Sequence, residues 1–511
     1  MKRVLLIAGI TVLVILSGLF LWLRFGVGQE KIQSILADAL GPDYTVEINS
    51  ARISPLQRAV SIGHMTISTS NDGHVIFRTD TLRITGINPG LIFRKNIILS
   101  KVKLDAFTID WDPARLPDDE ESGDDTSVEK LKIASLDITN GTIIVRKEGG
   151  ESNRMNALNL KAGLAFEFKT DPDSLDIPQY SVDIDSLGFL FSEDRYRLSL
   201  SGFNFEHQDS LLTLSSMKLI PVGGYFQFMR SREFEANMFD IEIVNFTAAG
   251  IDPAAFHNKK TVKARSLDFD AFSIHVAKDK QLPEKPDKKD PTLLNKTIQN
   301  LPVAIQFDSL FFRNTNIQYS EQDEEGTRPG TISFMNSTIQ ITDVNSLSQL
   351  PASLNAVTYL QNHSELNTEL HFSLHDGPFH MTGSGNLHPF DLKQLNSIFM
   401  DLEGMEVVSG FAHELEFYFE MTDDTSSGSM HLVYEDLKME IIDMDDYDTS
   451  FTNSIKSFIA NEAVLRADNL ADSNDEVRTG EIDHVRNSDS SFFQHLWHSL
   501  RSGIYDIALR L

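Results

Sequence analysis

The hydrophobic positions change their period three times along the chain. From Val4 to Leu23 they run almost without interruption, preceded by Lys2 and Arg3 and closed by Trp22 and Arg24. About 20 residues at ~1.5 Å rise span the ~30 Å hydrocarbon core of a bilayer. Residues 1–28 therefore read as a transmembrane anchor, and the basic flank sets its N-terminus on the cytoplasmic side. Gly26 and Gly28 leave a cleaved signal peptide as the alternative. The length of the run and the intrusion of Trp22-Leu23-Arg24 argue for the anchor. Ile32, Ile35, Leu36, Ala39 and Leu40 then recur at helical spacing and stop at Gly41-Pro42.

From about Tyr44 to Ile442 the period is two, the signature of strands with one apolar face. Leu158, Leu160, Ala162, Leu164, Phe166 and Phe168 alternate with Asn159, Lys161, Glu167 and Lys169. Leu415, Phe417, Phe419 and Met421 alternate with Glu414, Glu416 and Glu420 in the same way. In Tyr196, Leu198, Leu200, Phe203 and Phe205 the phase slips by one at Gly202, which reads as a bulge. Helical spacing returns in Phe451, Ile455, Phe458 and Ile459. It returns again from Phe492 to Leu511, behind the N-cap candidates Ser488-Asp489-Ser490. That last helix suits the cover of a sheet edge, or docking on a membrane surface or a partner.

Two motifs recur in the same order. Asp105-Ala106-Phe107-Thr108-Ile109 returns as Asp270-Ala271-Phe272-Ser273-Ile274. Ser135-Leu136, Asn140 and Ile143 return as Ser309-Leu310, Asn314 and Ile317. A charged loop separates the motifs each time, acidic from Asp118 to Asp125 and Pro/Lys-rich from Lys278 to Lys289. The preserved strand–loop–strand order points to an internal duplication rather than chance turn residues. The expected organisation is an anchor (1–28), two β-repeat regions (29–290 and 291–450) and a helical C-terminal region (451–511).

Charge narrows the function. With a net charge of −29 the surface repels phosphate backbones, which excludes nucleic-acid binding. The chain has no cysteine, so disulfides, thiolate metal sites and thiol nucleophiles are ruled out. His371, His375, His380 and His388 form the densest histidine patch, but they lack metal-site spacing. Asp443, Asp445, Asp446 and Asp448 lack the Gly and terminal Glu of a calcium loop. No nucleophile elbow or Gly-rich phosphate loop is present. The chain reads as non-enzymatic, without metal or cofactor. Its 34 phenylalanines against 13 Tyr and Trp suit greasy contacts better than polar ones.

Several segments together resemble the AsmA-like family of Gram-negative envelope proteins. They are the anchor, the helix ending Leu40-Gly41, and the strands Val46-Glu47-Ile48, Ala59 to Ile62 and His64 to Ile67. The repeated units at Ser135 to Ile143 and Ser309 to Tyr319 match as well. So do Gly383 to Gly385, Leu395-Asn396, Ser409-Gly410, Gly428 to Ile442, and Gly480 through Trp497 to Gly503. The resemblance implies an elongated, twisted antiparallel β-sheet groove, repeat-built and apolar inside, with short helices at both ends. It also implies a single-pass inner-membrane protein, mostly periplasmic, that handles phospholipid or another acyl lipid in outer-membrane homeostasis. Self-association or another envelope protein completes the expected partners. On that reading Leu158, Leu160, Leu164, Phe166, Phe168, Leu415, Phe417 and Phe419 face the lipid. Some 20–25 strands at about 4.8 Å make a groove of about 100–120 Å, short of a full bridge between two membranes. Alternating strands equally suit closed β-sandwiches in a scaffolding protein with protein-binding loops.

Overall fold

The computed structural model describes residues 29–54, 56–87, 96–112, 130–146, 152–168, 175–191, 195–286, 290–322, 329–402, 405–441 and 465–509. The chain is mainly β, 63% strand and 14% helix, in two compact units, Met1–Val222 and Gly223–Leu511. The boundary expected at 290/291 falls inside the second unit. Among the described residues no helix is long and apolar enough to cross a membrane. The expected anchor lies outside them, as do Asp118 to Asp125, Asp443 to Asp448 and the Phe451 to Ile459 stripe.

In the first unit the helical period of the sequence becomes α1 (Gln29–Leu40), ended by Gly41 in the left-handed conformation at φ 85°. Ile32 and Leu36 point from it into the core, 4% and 0% exposed. They pack on Val46, Ile48, Val60, Ile62, Met65 and Ile67, a burial worth roughly 1.5–3 kcal/mol per side chain. Ten strands follow: β1 (Tyr44–Ser54), β2 (Ala59–Thr69), β3 (Val75–Thr85), β4 (Asn96–Leu99), β5 (Lys101–Trp111), β6 (Lys130–Arg146), β7 (Ser152–Phe168), β8 (Leu175–Phe191), β9 (Tyr196–Glu206) and β10 (Leu211–Pro221). They pair side by side as β1-β2-β3-β5-β6-β7-β8-β9-β10, with β4 beside β6 just ahead of β5.

The second unit contains α2 (Gly224–Arg230), β11 (Met238–Ala249), α3 (Pro253–Lys259), β12 (Thr261–Asp279), α4 (Leu294–Gln299) and β13 (Ala304–Gln322). It continues with β14 (Gly330–Asn345), β15 (Ala352–Leu360), β16 (Ser364–Phe372), β17 (His380–Leu387), the short β18 (Phe390–Asp391) and α5 (Asn396–Leu402). It closes with β19 (Met405–Thr422), β20 (Thr425–Ile441), β21 (Thr479–Val485) and α6 (Phe492–Ala508). Strands β11 to β17 pair in order, then β17 pairs with β19, β19 with β20 and β20 with β21.

The expected antiparallel sheet is corrected to a mixed one. β5 runs parallel to β6, and β12 parallel to β13. These are the two copies of the repeated motif. Parallel neighbours require the intervening chain to return to the starting end. The copies also share register: Val102 faces Leu136 and Ile109 faces Ile143, as Leu267 faces Leu310 and Ile274 faces Ile317.

A seam of left-handed residues crosses the strands of each unit. In the first it includes His64 (φ 50°), Ala106 (49°), Asn140 (54°) and Gly202 (63°); in the second, Asn245 (51°), Asn314 (46°) and Asn336 (51°). Asparagine tolerates this conformation because its short side chain bonds locally. Asn140 Nδ2 donates to Asp105 Oδ1 at 3.4 Å, and Asn314 Nδ2 to the Asp270 carbonyl at 3.0 Å. The expected bulge at Gly202 is such a residue in an unshifted register. Ile184 faces Phe203 and Ser186 faces Ser201, so β8 and β9 each set one residue aside. Across the seam, residues three apart share a face: the rings of Phe269 and Phe272 meet edge-on at 6.0 Å.

Candidate functional site

Cross-strand partners lie on the same face of a sheet, so the register can be followed from strand to strand. In the first unit one row reads Ala51–Ile62–Leu82–Leu104–Ile138–Leu160–Ile184–Phe203–Leu214. Across the seam another reads Val46–Ile67–Phe77–Ile109–Ile143–Met155–Phe189–Leu198–Leu219. Both are apolar on all nine strands. The row on the opposite face reads Arg52–Ser61–Arg83–Lys103–Asp137–Lys161–Asp183–Asn204–Thr213. Eight spacings of about 4.8 Å make each row about 38 Å long, more than twice the ~15 Å depth of one leaflet.

Among the described residues the cover over this face is partial. The core under α1 extends as far as Ile133 and Leu136 on β6. Farther along, Leu160, Ile184, Phe189, Leu198, Leu200 and Phe203 are half-buried, while Phe205 and Leu214 are buried. Leu158 is 8% exposed opposite Gly141. Leu164, Phe166 and Phe168 pair with Ile133, Leu131 and, on β8, Leu175.

The second unit repeats the plan with a heavier cover. Its row reads Ala248–Leu267–Leu310–Ile341–Leu354–Leu370–Gly383–Phe419–Gly428–Ile482. At the β19–β21 end Phe419 (1% exposed), Met421, Met430 and Ile482 are buried with Ile507 of α6, and Leu415 and Phe417 pack against them. The Phe417 and Phe419 rings stack at 6.2 Å. The three β19 candidates thus belong to the core to which α6 contributes Ile507. At the β11–β13 end lies a cluster that sequence reading missed. Phe269 contacts Phe246 at 4.7 Å and stacks on Phe312 at 4.4 Å, with Phe272 against Phe312 at 5.5 Å. All four are half-buried. The duplication carried the signal, since Phe272 and Phe312 lie in or beside the repeated motifs.

The C-terminal helix begins one residue later than the cap candidates. Ser491 caps it, accepting from the Gln494 amide, while the Gln494 side chain accepts from the Ser491 amide. The segment expected to be helical also contributes strand β21. Gly480 on β21 lies so close to the helix that a Cβ there would be 2.3 Å from the Gly503 carbonyl oxygen.

Among the described residues the histidines singled out in the sequence do not gather into one site. His371 bonds Ser353 and Glu369, His380 bonds Glu420, and His388 lies 3.8 Å from Glu365, each on its own partner. Among the described residues no three His, Asp or Glu side chains could hold a metal ion. The perturbed groups are structural: burial pushes the Tyr434 phenol up to about 12, while its hydroxyl donates to the Arg466 carbonyl at 2.9 Å. The arrangement these residues offer is an extended apolar surface, partly covered in each unit. No protein-family model matches the chain, and no curated protein matches it.

Proposed function

We propose that the chain binds acyl lipid on the uncovered part of its apolar sheet faces, as a member of the AsmA-like envelope proteins it resembles. One observation carries this reading: apolar rows run unbroken across nine paired strands, while the covering helix reaches only the first few. Beyond the helix, Leu160, Ile184, Phe189, Leu198 and Phe203 on these rows keep part of their surface open, although Leu214 at the far end is buried. An acyl chain laid there leaves water at about 0.8 kcal/mol per buried CH₂, with no catalytic group required. The polar opposite face stays in water. Anchored by residues 1–28 in the inner membrane, with the sheets in the periplasm, the protein would take phospholipid from one leaflet and pass it on. It would thereby contribute to outer-membrane lipid homeostasis.

The test is lipid extraction from the full chain purified in mild detergent, with mass spectrometry against a detergent-only blank. Phospholipid at or above equimolar amounts supports the reading. A chain that is folded and lipid-free after exchange with excess phospholipid counts against it. The scaffolding alternative loses its closed β-sandwiches, because within each unit the paired strands form a single sheet.

A further inference from the structure

We propose that one corner of the second unit docks on an anionic phospholipid bilayer. The corner is built from α3, the turn between α4 and β13, and the turn between β14 and β15. It carries Phe256, Leu301, Leu347 and Leu350, exposed by 56%, 43%, 67% and 73%. Lys259 and Lys260 are exposed among them, and with Leu301 and Leu347 they line one shallow depression.

These side chains stand on fixed backbone. The Ala304 amide donates to the Lys260 carbonyl at 3.0 Å, and Gln299 Nε2 donates to the Ser346 carbonyl at 2.8 Å, tying the three segments together. The Leu347 amide bonds Asn345 Oδ1, and the Leu350 amide bonds Ser348 Oγ, each at 3.0 Å. The turn therefore satisfies its own backbone while presenting two leucines to water.

Charge selects the partner. Residues 253–263, 297–304 and 345–351 contain Lys259, Lys260 and Lys263 and no aspartate or glutamate, in a chain of net charge −29. Most of the surface repels an anionic bilayer, and this corner, where three lysines are flanked by one carboxylate, the α3 cap Asp252, is where the chain can approach one. Apolar tips on separate turns enter the headgroup boundary without needing a shaped partner, and lysines at that depth meet the anionic headgroups. This docking does not depend on acyl chains entering the sheet face.

The absence of cysteine allows a clean test. The full chain is placed in zwitterionic nanodiscs, with Gln349→Cys carrying an environment-sensitive fluorophore. It is then titrated with vesicles of phosphatidylcholine alone or with added phosphatidylglycerol. The expected result is vesicle capture with a blue shift on the anionic vesicles only, reversed by high salt. Lys259→Gln with Lys260→Gln should weaken capture about 30-fold, at roughly 1 kcal/mol per lysine. Leu347→Ser with Leu350→Ser should remove the blue shift. Equal capture by both vesicle types, salt-insensitive capture, or a label that stays in water on anionic vesicles would each overturn the proposal. So would a protein from an envelope extract that protects the label where vesicles do not.

Discussion

Asn314 shows how single residues bend this sheet. Its backbone is left-handed at φ 46° and its side chain donates to the Asp270 carbonyl, so conformation and hydrogen bond depend on the same side chain. Replacing it with Val puts a β-branched residue where it costs roughly 1–2 kcal/mol and removes that bond. Asn314→Gly keeps the conformation. In urea unfolding, Asn314→Val should lose about 2 kcal/mol and Asn314→Gly less than half of that. Equal losses would show that the conformation is not what the residue supplies. Ala106, also left-handed and without a side-chain donor, should gain about 0.5–1 kcal/mol on change to Gly. The sequence showed Asn140 and Asn314 as repeated positions and Gly202 as a slip in phase. The same slip surrounds His64, in Val60, Ile62, Met65 and Ile67, and Asn245, in Ile241, Ile243, Phe246 and Ala248. The sequence did not show the seam, because alternation within one strand does not say that slips on neighbouring strands line up.

Among the elements, α6 combines a close approach with a titratable contact. Gly480→Ala would set a methyl against the Gly503 carbonyl, lifting the helix from Ile482 and Met430. Hydrogen exchange should then rise across α6 while the β13–β16 amides stay protected; unchanged exchange in α6 would contradict the packing. Beside it, the His484 ring on β21 lies 5.3 Å from the rings of both His495 and His498 on α6. Burial holds His495 and His498 down to about 4, aided by His484 and, for His498, more strongly by Arg501. Arg486 adds to this at His495, while Asp424 at His495 and Asp489 at His498 oppose it. His484 is lowered too, by burial and Arg501 against Asp483. The folded form therefore binds fewer protons than the unfolded one between pH 6.5 and about 4. Stability conferred by α6 is full above 6.5 and is lost as pH falls through that window. Exchange in α6 should rise on acidification ahead of the strands, and His495→Leu with His498→Leu should blunt the rise. A flat profile in the unaltered chain would sink this. The C-terminal stripe in the sequence located the helix; nothing in its period said that β21 would lie under it. The two parallel steps were equally hidden, because alternation reports a strand's face and not its direction.

At the scale of the molecule, strand faces were legible and their cover was not. Alternation named Leu160 and Phe419 with equal force. The structure leaves Leu160 half-buried beyond the reach of α1 and buries Phe419 in a core completed by residues far away in sequence, Ile482 and Ile507 among them. The two positions should therefore respond differently to charge. Phe419→Lys buries an unpaired cation at a cost of several kcal/mol and should unfold the second unit. Leu160→Lys can carry its ammonium to water, so the melting temperature should hold while bound lipid falls. The most direct measurement uses a photoreactive phenylalanine analogue at Leu160 or Phe203 on the apolar face, and at Asp183 or Asn204 on the polar one. After illumination in membranes, adducts are identified by mass spectrometry. Lipid adducts at 160 and 203, with none at 183 and 204, are the predicted result. Adducts equally frequent on both faces, or absent from the apolar face, would contradict a lipid-binding sheet.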